Sequence, residues 1–164
     1  MIEESTVVKV GMADLNVCLT GSIRTTGLGS CVGLTLYDPV AHIAGMAHVM
    51  LPSSDIARDG VRNIAKYADT AVPELIRRMT LEGAKLTRLQ AKMAGGAQMF
   101  AFASNNDMMR IGPRNVESCK QMLLTHGIPL LAEDTGGNYG RTIELRCGDG
   151  MLNIRSVQMG VKEI

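Results

Sequence analysis

The sequence has no tryptophan, two phenylalanines and three tyrosines. So few rings cannot build the stacking platform that single-stranded nucleic acid needs. The formal net charge is +1, which leaves no basic footprint for a phosphate backbone. Nucleic acid is therefore excluded as a partner. No apolar run reaches the roughly 18 residues of a membrane span. The opening MIEESTVV is acidic, where a secretory signal begins basic. A cytoplasmic protein with no direct membrane insertion is expected. The three histidines, His42, His48 and His126, are scattered. The four cysteines, Cys18, Cys31, Cys119 and Cys147, include no CxxC pair. Free thiols in a reducing compartment are predicted, with no metal site.

What the chain does have is enough length and apolar content for one core. It has 164 residues, 46% of them hydrophobic. No repeat, low-complexity tract or linker divides it, so residues 1–164 are read as a single domain. Residues 6–19 are rich in Val and Leu, and Leu15, Val17 and Leu19 alternate with Asn16 and Cys18 as in a strand. Residues 20–30 read as a Thr/Gly/Ser loop. VGLTLY (32–37) and IAGMAHVML (43–51) read as two strands joined by a DPVAH turn, which makes a hairpin. Residues 63–82 carry Ala68, Val72, Leu75, Ile76 and Met79 at helical spacing. There Pro73 sets either a start near Asp69 or Thr70 or a kink. Residues 88–94 read as a strand running into Gly95 and Gly96. A second helix is predicted over 113–126, burying Val116, Cys119 and Leu123, with Gly127 past its end. IPLLA (128–132) reads as a strand covered on both faces, and 133–141 as a glycine-rich loop. Residues 142–147 and 151–157 form a hairpin around Gly148–Gly150. The fold class is α+β, a layered α/β arrangement of a mostly antiparallel or mixed sheet with two main helices.

The chemistry concentrates at RTTGLGSCVGLTLYDP. A nucleophilic cysteine needs a base, donors for a developing oxyanion, and access. Cys31 stands where a glycine-containing loop enters an apolar strand. Gly27, Leu28, Gly29 and Ser30 can aim amides into one concavity. With the turn near 39–41, Cys31 falls nearly opposite His48, at a Cβ separation of roughly 5 Å. A slip of one residue would put them on opposite faces. Thr25, Thr26 and Ser30 are the candidates to orient the imidazole, since no carboxylate stands close. The other cysteines are read as packing residues. His42 is read as a surface histidine, and His126 as a residue of a helix's last turn.

These residues lie within a longer resemblance. VKVGMAD, GLGSCVGLTLYDP, GMAHVMLP, KYAD, AKMAGGAQMF, IGPRNVE and GIPLLAEDTGGNYGR occur in an order that resembles the CheD family, over nearly the whole chain. The resemblance implies a fold similar to the core of bacterial toxin deamidases and a Cys-His-Thr triad. It selects Cys31, His48 and Thr25 as that triad; Gly29 and Ser30 of the loop are expected to support the oxyanion. It implies deamidation of chemoreceptor glutamines to glutamate with release of ammonia. Thioester chemistry of that kind needs no cofactor. The implied partners are the cytoplasmic helices of a chemoreceptor, as substrate, and a CheC-type phosphatase. The chain would be a monomer or a heterodimer with that partner. Loops 52–62 and 134–141 are candidates for the rim of the site. Two other readings are a regulatory module that binds the phosphatase and a redox sensor in which Cys18 resolves Cys31.

Overall fold

A computed structural model of the chain describes residues 6–57, 60, 63–99 and 110–164. Within these, ten strands form two five-stranded sheets. The first sheet runs in the order β1 (Val7–Val10), β3 (Ser22–Leu28), β8 (Arg141–Arg146), β9 (Leu152–Ser156) and β10 (Gly160–Glu163). The second runs β2 (Leu15–Cys18), β5 (Ile43–Val49), β4 (Val32–Asp38), β6 (Gln90–Gly95) and β7 (Leu130–Thr135). Each sheet is antiparallel except for one parallel pair, β1 with β3 and β6 with β7. Two helices, α1 (Ala68–Leu81) and α2 (Ile111–Thr125), pack on the second sheet. The α+β class holds, but the expected single sheet is two. None of the helices among the described residues is long and apolar enough to cross a membrane.

β4 and β5 lie in the middle of this stack, and every residue of both is buried. Val32, Leu34, Leu36, Ala47 and Val49 meet Val72, Leu75, Met79, Cys119 and Leu123 of the helices. On the opposite face, Tyr37, Ala44 and Met46 meet Ile23, Ile143, Leu145 and Ile154 of the first sheet. Coverage on both sides is why the two strands read as nearly continuous apolar runs. Their antiparallel pairing confirms the hairpin.

Three local expectations change. Residues 20–30, expected as a loop, contain β3, with Thr25 in its middle. Ile23, Thr25 and Leu28 are buried while Arg24 and Thr26 are exposed, and β-branched threonines suit a pleated surface. The glycine that suggested a loop, Gly27 at φ +72°, sits where the pairing with β8 shifts register. The strand at 128–132, expected to be covered on both faces, is an edge strand with Leu131 half exposed. β7 also runs on to Thr135, which shortens the glycine-rich loop to 136–140. An apolar run alone does not reveal how many neighbours a strand has. α1 begins at Ala68, with Pro73 in its second turn, and its buried face carries the expected stripe. The final edge strand, β10, has no counterpart in the sequence reading.

Candidate active site

His48 lies on β5 and shares a face with Ala44 and Met46, so its ring enters the layer between the two sheets, where it is fully buried. Thr25 of β3 meets it there from the first sheet. Thr25 Oγ1 lies 2.8 Å from His48 Nδ1 and also 2.8 Å from the Val10 carbonyl oxygen. A carbonyl can only accept, so the single hydroxyl proton goes to Val10. Thr25 Oγ1 must then accept from Nδ1–H. This fixes the tautomer, with the lone pair on Nε2. That atom is buried and has no hydrogen-bond partner among the described residues. A desolvated ring nitrogen left unpaired is free to take a proton.

Cys31 stands one residue before β4. The register pairs Val32 with Val49 and Gly33 with His48. Cys31 is therefore one diagonal step from His48 rather than nearly opposite it. The diagonal keeps both on the same face, as neighbours about 7–8 Å apart in standard antiparallel geometry, with the Cβ atoms somewhat closer. Their shared face is also seen in packing, since Cys31 joins the apolar layer between the sheets together with Met46 and Met50. Cys31 is 8% exposed, against 0–3% for the other three cysteines, so it is the most exposed cysteine of the four.

The segment before Cys31 is held by its carbonyls. Ala97 N–H donates to Gly29 O (2.8 Å), Asn115 Nδ2 to Ser30 O (2.9 Å) and Gly96 N–H to Cys31 O (2.8 Å). Gly29 spends its own N–H on the Gly27 carbonyl, at 3.1 Å. The Ser30 and Cys31 amides have no main-chain partner among the described residues. Of the expected oxyanion donors, Ser30 has an N–H without a main-chain partner among the described residues, and Gly29 does not. Gly95 and Gly96 make the close approach possible. A Cβ on Gly95 would lie 2.3 Å from the Cys31 oxygen, and both glycines have positive φ, at +106° and +64°.

Burial pushes the Cys31 thiol above its ordinary value and the His48 imidazole below its own. Both shifts disfavour the charged form of each group, opposite to the shifts that a thiolate–imidazolium pair would show.

Comparison with known proteins decides the family. A family model described as CheD chemotactic sensory transduction matches residues 50–156. Over 159 residues the chain is 60% identical to the chemoreceptor glutamine deamidase CheD of Halalkalibacterium halodurans, covering 96% of this chain and 98% of that protein. It is 52% identical over 162 residues to a probable chemoreceptor glutamine deamidase CheD of Caldanaerobacter subterraneus, covering 98% and 99%. It is 50% identical over 162 residues to the chemoreceptor glutamine deamidase CheD of Bacillus subtilis, covering 98% of each. The chain belongs to the CheD family.

The remaining candidates of this CheD chain divide clearly. Burial pushes the thiols of Cys119 and Cys147 well above their ordinary value, which disfavours the thiolate. Cys18 Sγ lies 2.9 Å from Cys147 Sγ, so Cys147, not Cys31, is its thiol partner. His42 is exposed in the β4–β5 turn and His126 caps the end of α2. In the 52–62 segment, residues 58, 59, 61 and 62 lie outside the described residues. Pro52 is tied to α2 by Ser118 Oγ, which donates to its carbonyl at 2.6 Å. The 136–140 loop joins the nucleophile segment through its neighbours. Gln98 N–H donates to Gly137 O (2.9 Å), one residue from the Ala97–Gly29 bond. Sequence reading missed Asn115. Its asparagine stands on the helix face that also carries Cys119 and Leu123, and a polar residue on a buried stripe is the signal that could have found it.

Proposed function

We propose that this chain is a protein-glutamine deamidase of chemoreceptors, with Cys31 as nucleophile, His48 as base and then acid, and Thr25 as the residue that orients the ring. The observation that carries this is the proton chain from His48 Nδ1–H through Thr25 to Val10, which leaves Nε2 as the basic atom on the face that Cys31 shares. As sulfur attacks the glutamine side-chain carbon, Nε2 takes the thiol proton. The carbonyl oxygen becomes an oxyanion received by the Ser30 and Cys31 amides. The C–N bond breaks and the imidazolium gives its proton to the departing ammonia. Burial, which makes that imidazolium a stronger acid, favours the transfer. Water, deprotonated by Nε2, then hydrolyses the thioester to glutamate. The same steps would cleave a glutamyl methyl ester, whose leaving group is better.

Family membership supports the cytoplasmic helices of a chemoreceptor as substrate and a cytoplasmic location. A CheC-type phosphatase as a second partner rests on the family alone, and the loops at 52–57 and 136–140 are the proposed rim for either protein.

The test is incubation with receptor cytoplasmic fragments followed by peptide mass mapping. The native chain should convert particular glutamines to glutamate, each gaining a negative charge. Cys31→Ala and His48→Ala should convert none while keeping the native circular dichroism. Deamidation by folded Cys31→Ala refutes the catalytic reading.

A further inference from the structure

Asn115 lies on α2, is fully buried, and its side chain hydrogen-bonds to both halves of the site. Its Nδ2 donates to the Ser30 carbonyl and to the Met50 carbonyl, each at 2.9 Å. Ser30 directly precedes Cys31, and Met50 lies two residues after His48 on β5's continuation. Both protons of Nδ2 are used. Both acceptors are carbonyls, so the amide cannot be flipped. Its Oδ1 is buried with no partner among the described residues. Burying an unpaired amide oxygen is unfavourable, and an apolar side chain would avoid it.

The peptide joining Ser30 to Cys31 is planar and trans, so its C=O and N–H point in opposite directions. Pulling the Ser30 oxygen towards α2 turns the Cys31 N–H away from α2. A hydrogen bond to a peptide's oxygen also polarises its N–H and makes it a stronger donor. We infer that Asn115 is a positioning residue for the deamidation: through the Ser30 carbonyl it aims and polarises the Cys31 amide as an oxyanion donor, and through Met50 it keeps that amide in register with His48. This rests on the proposed roles of Cys31 and His48.

Two reactions of the same sulfur separate this role from a merely structural one. Deamidation builds an oxyanion at a carbonyl. Alkylation by iodoacetamide displaces iodide at a saturated carbon and builds none. Asn115→Ala and the near-isosteric Asn115→Leu are assayed for both, with alkylation followed at the Cys31 peptide and folding by thermal melting. Leucine refills the space if the alanine variant does not fold. The expected result is a kcat for deamidation at least tenfold lower, KM within twofold, and an unchanged alkylation rate. Losing one oxyanion donor outright costs roughly 10²–10³ in kcat, and misaiming one costs part of that. An unchanged kcat, or deamidation and alkylation falling in parallel, overturns the inference. Cys31→Ala serves as the control for the underlying reading. If that variant still deamidates, the catalytic assignment fails whatever Asn115 does; if it is inactive while Asn115→Leu is normal, only the role of Asn115 is lost.

Discussion

Thr25 and His48 meet at 2.8 Å although they belong to different sheets. The imidazole is therefore held by the packing of one sheet on the other, not by its own strand alone. The Thr25 hydroxyl carries no charge, and its proton is already committed to Val10. It can fix the tautomer and the ring angle, but it stabilises an imidazolium less than a carboxylate would.

Removing that acceptor should therefore damage orientation more than folding. Thr25→Val keeps the shape and deletes the hydroxyl; Thr25→Ser keeps the hydroxyl. Positioned acid–base groups contribute roughly 10²–10⁴ in rate, so Thr25→Val should lower kcat about 10²-fold. Thr25→Ser should stay within a few-fold of the native chain. Ammonia release from a receptor fragment checks both. Equal activity in the valine variant would show that Thr25 does not orient the ring.

Gly95 gives a second prediction, because both backbone and space forbid a side chain there. Its φ is +106°, and a Cβ would lie 2.3 Å from the Cys31 carbonyl oxygen. Gly95→Ala should destabilise the fold by about 2–4 kcal/mol, from left-handed strain together with overpacking. It should also abolish deamidation at temperatures where the variant is folded. Gly127, at φ +68° beyond α2, has open space around its Cβ position. Gly127→Ala should lose only about 1 kcal/mol and keep its activity. Urea titration and the ammonia assay separate the two effects.

Much of this was legible in the sequence, and the gaps have physical reasons. The β4–β5 hairpin could be read because its residues are apolar throughout and its turn is marked by Asp38 and Pro39. The stripes on α1 and α2 follow the helical period. Thr25 was one of three hydroxyl candidates because its partners, Val10 and His48, come from strands of both sheets, and pairing between sheets leaves no periodic trace. The hairpin register was off by about one position. His48 therefore faces Gly33, and Cys31 lies a diagonal step away instead of nearly opposite, because turn composition does not fix loop length. The same holds for Asn115, whose two acceptors are main-chain carbonyls far away in sequence.

Asp38 shows how the far end of the hairpin is pinned. Its carboxylate is fully buried and receives Arg88 Nη2 at 2.8 Å, together with the amides of Val40, Ala41 and Lys85. Burial alone would raise this carboxyl, but the Arg88 guanidinium and the three amides outweigh it and hold the group well below the usual carboxylate range. A carboxyl lowered in the folded state stabilises above its unfolded value, about 3.9, and that stability is lost as pH falls below it. Asp38→Ala should lose about 3 kcal/mol at pH 7, as expected when one partner of a buried pair is removed. The gap between variant and native chain should narrow as pH drops towards 3. Urea midpoints at the two pH values check it; a gap independent of pH would remove the linkage.

The protonation state of the proposed catalytic pair gives the last prediction, and its sign follows from burial. A preformed thiolate–imidazolium pair has a low thiol and a high imidazole, so its activity declines as the imidazolium loses its proton at mildly alkaline pH. Here burial moves both groups the other way: His48 below its ordinary 6.5 and Cys31 above its ordinary 9.0. Shifts in those directions favour the neutral form of both groups between these values, which would leave the proposed base available throughout. The kcat/KM for deamidation should therefore stay level from about pH 6.5 to about pH 9, falling only below that window as Nε2 becomes protonated. Alkylation of Cys31 by iodoacetamide should keep accelerating past about pH 9, because the thiolate fraction is still growing there. Initial rates of both reactions across the range test the claim together. A deamidation rate already falling between pH 7 and 8.5, with alkylation saturated at pH 7, would mean that the pair is ionised at rest and that Nε2 acts only as an acid in the first step.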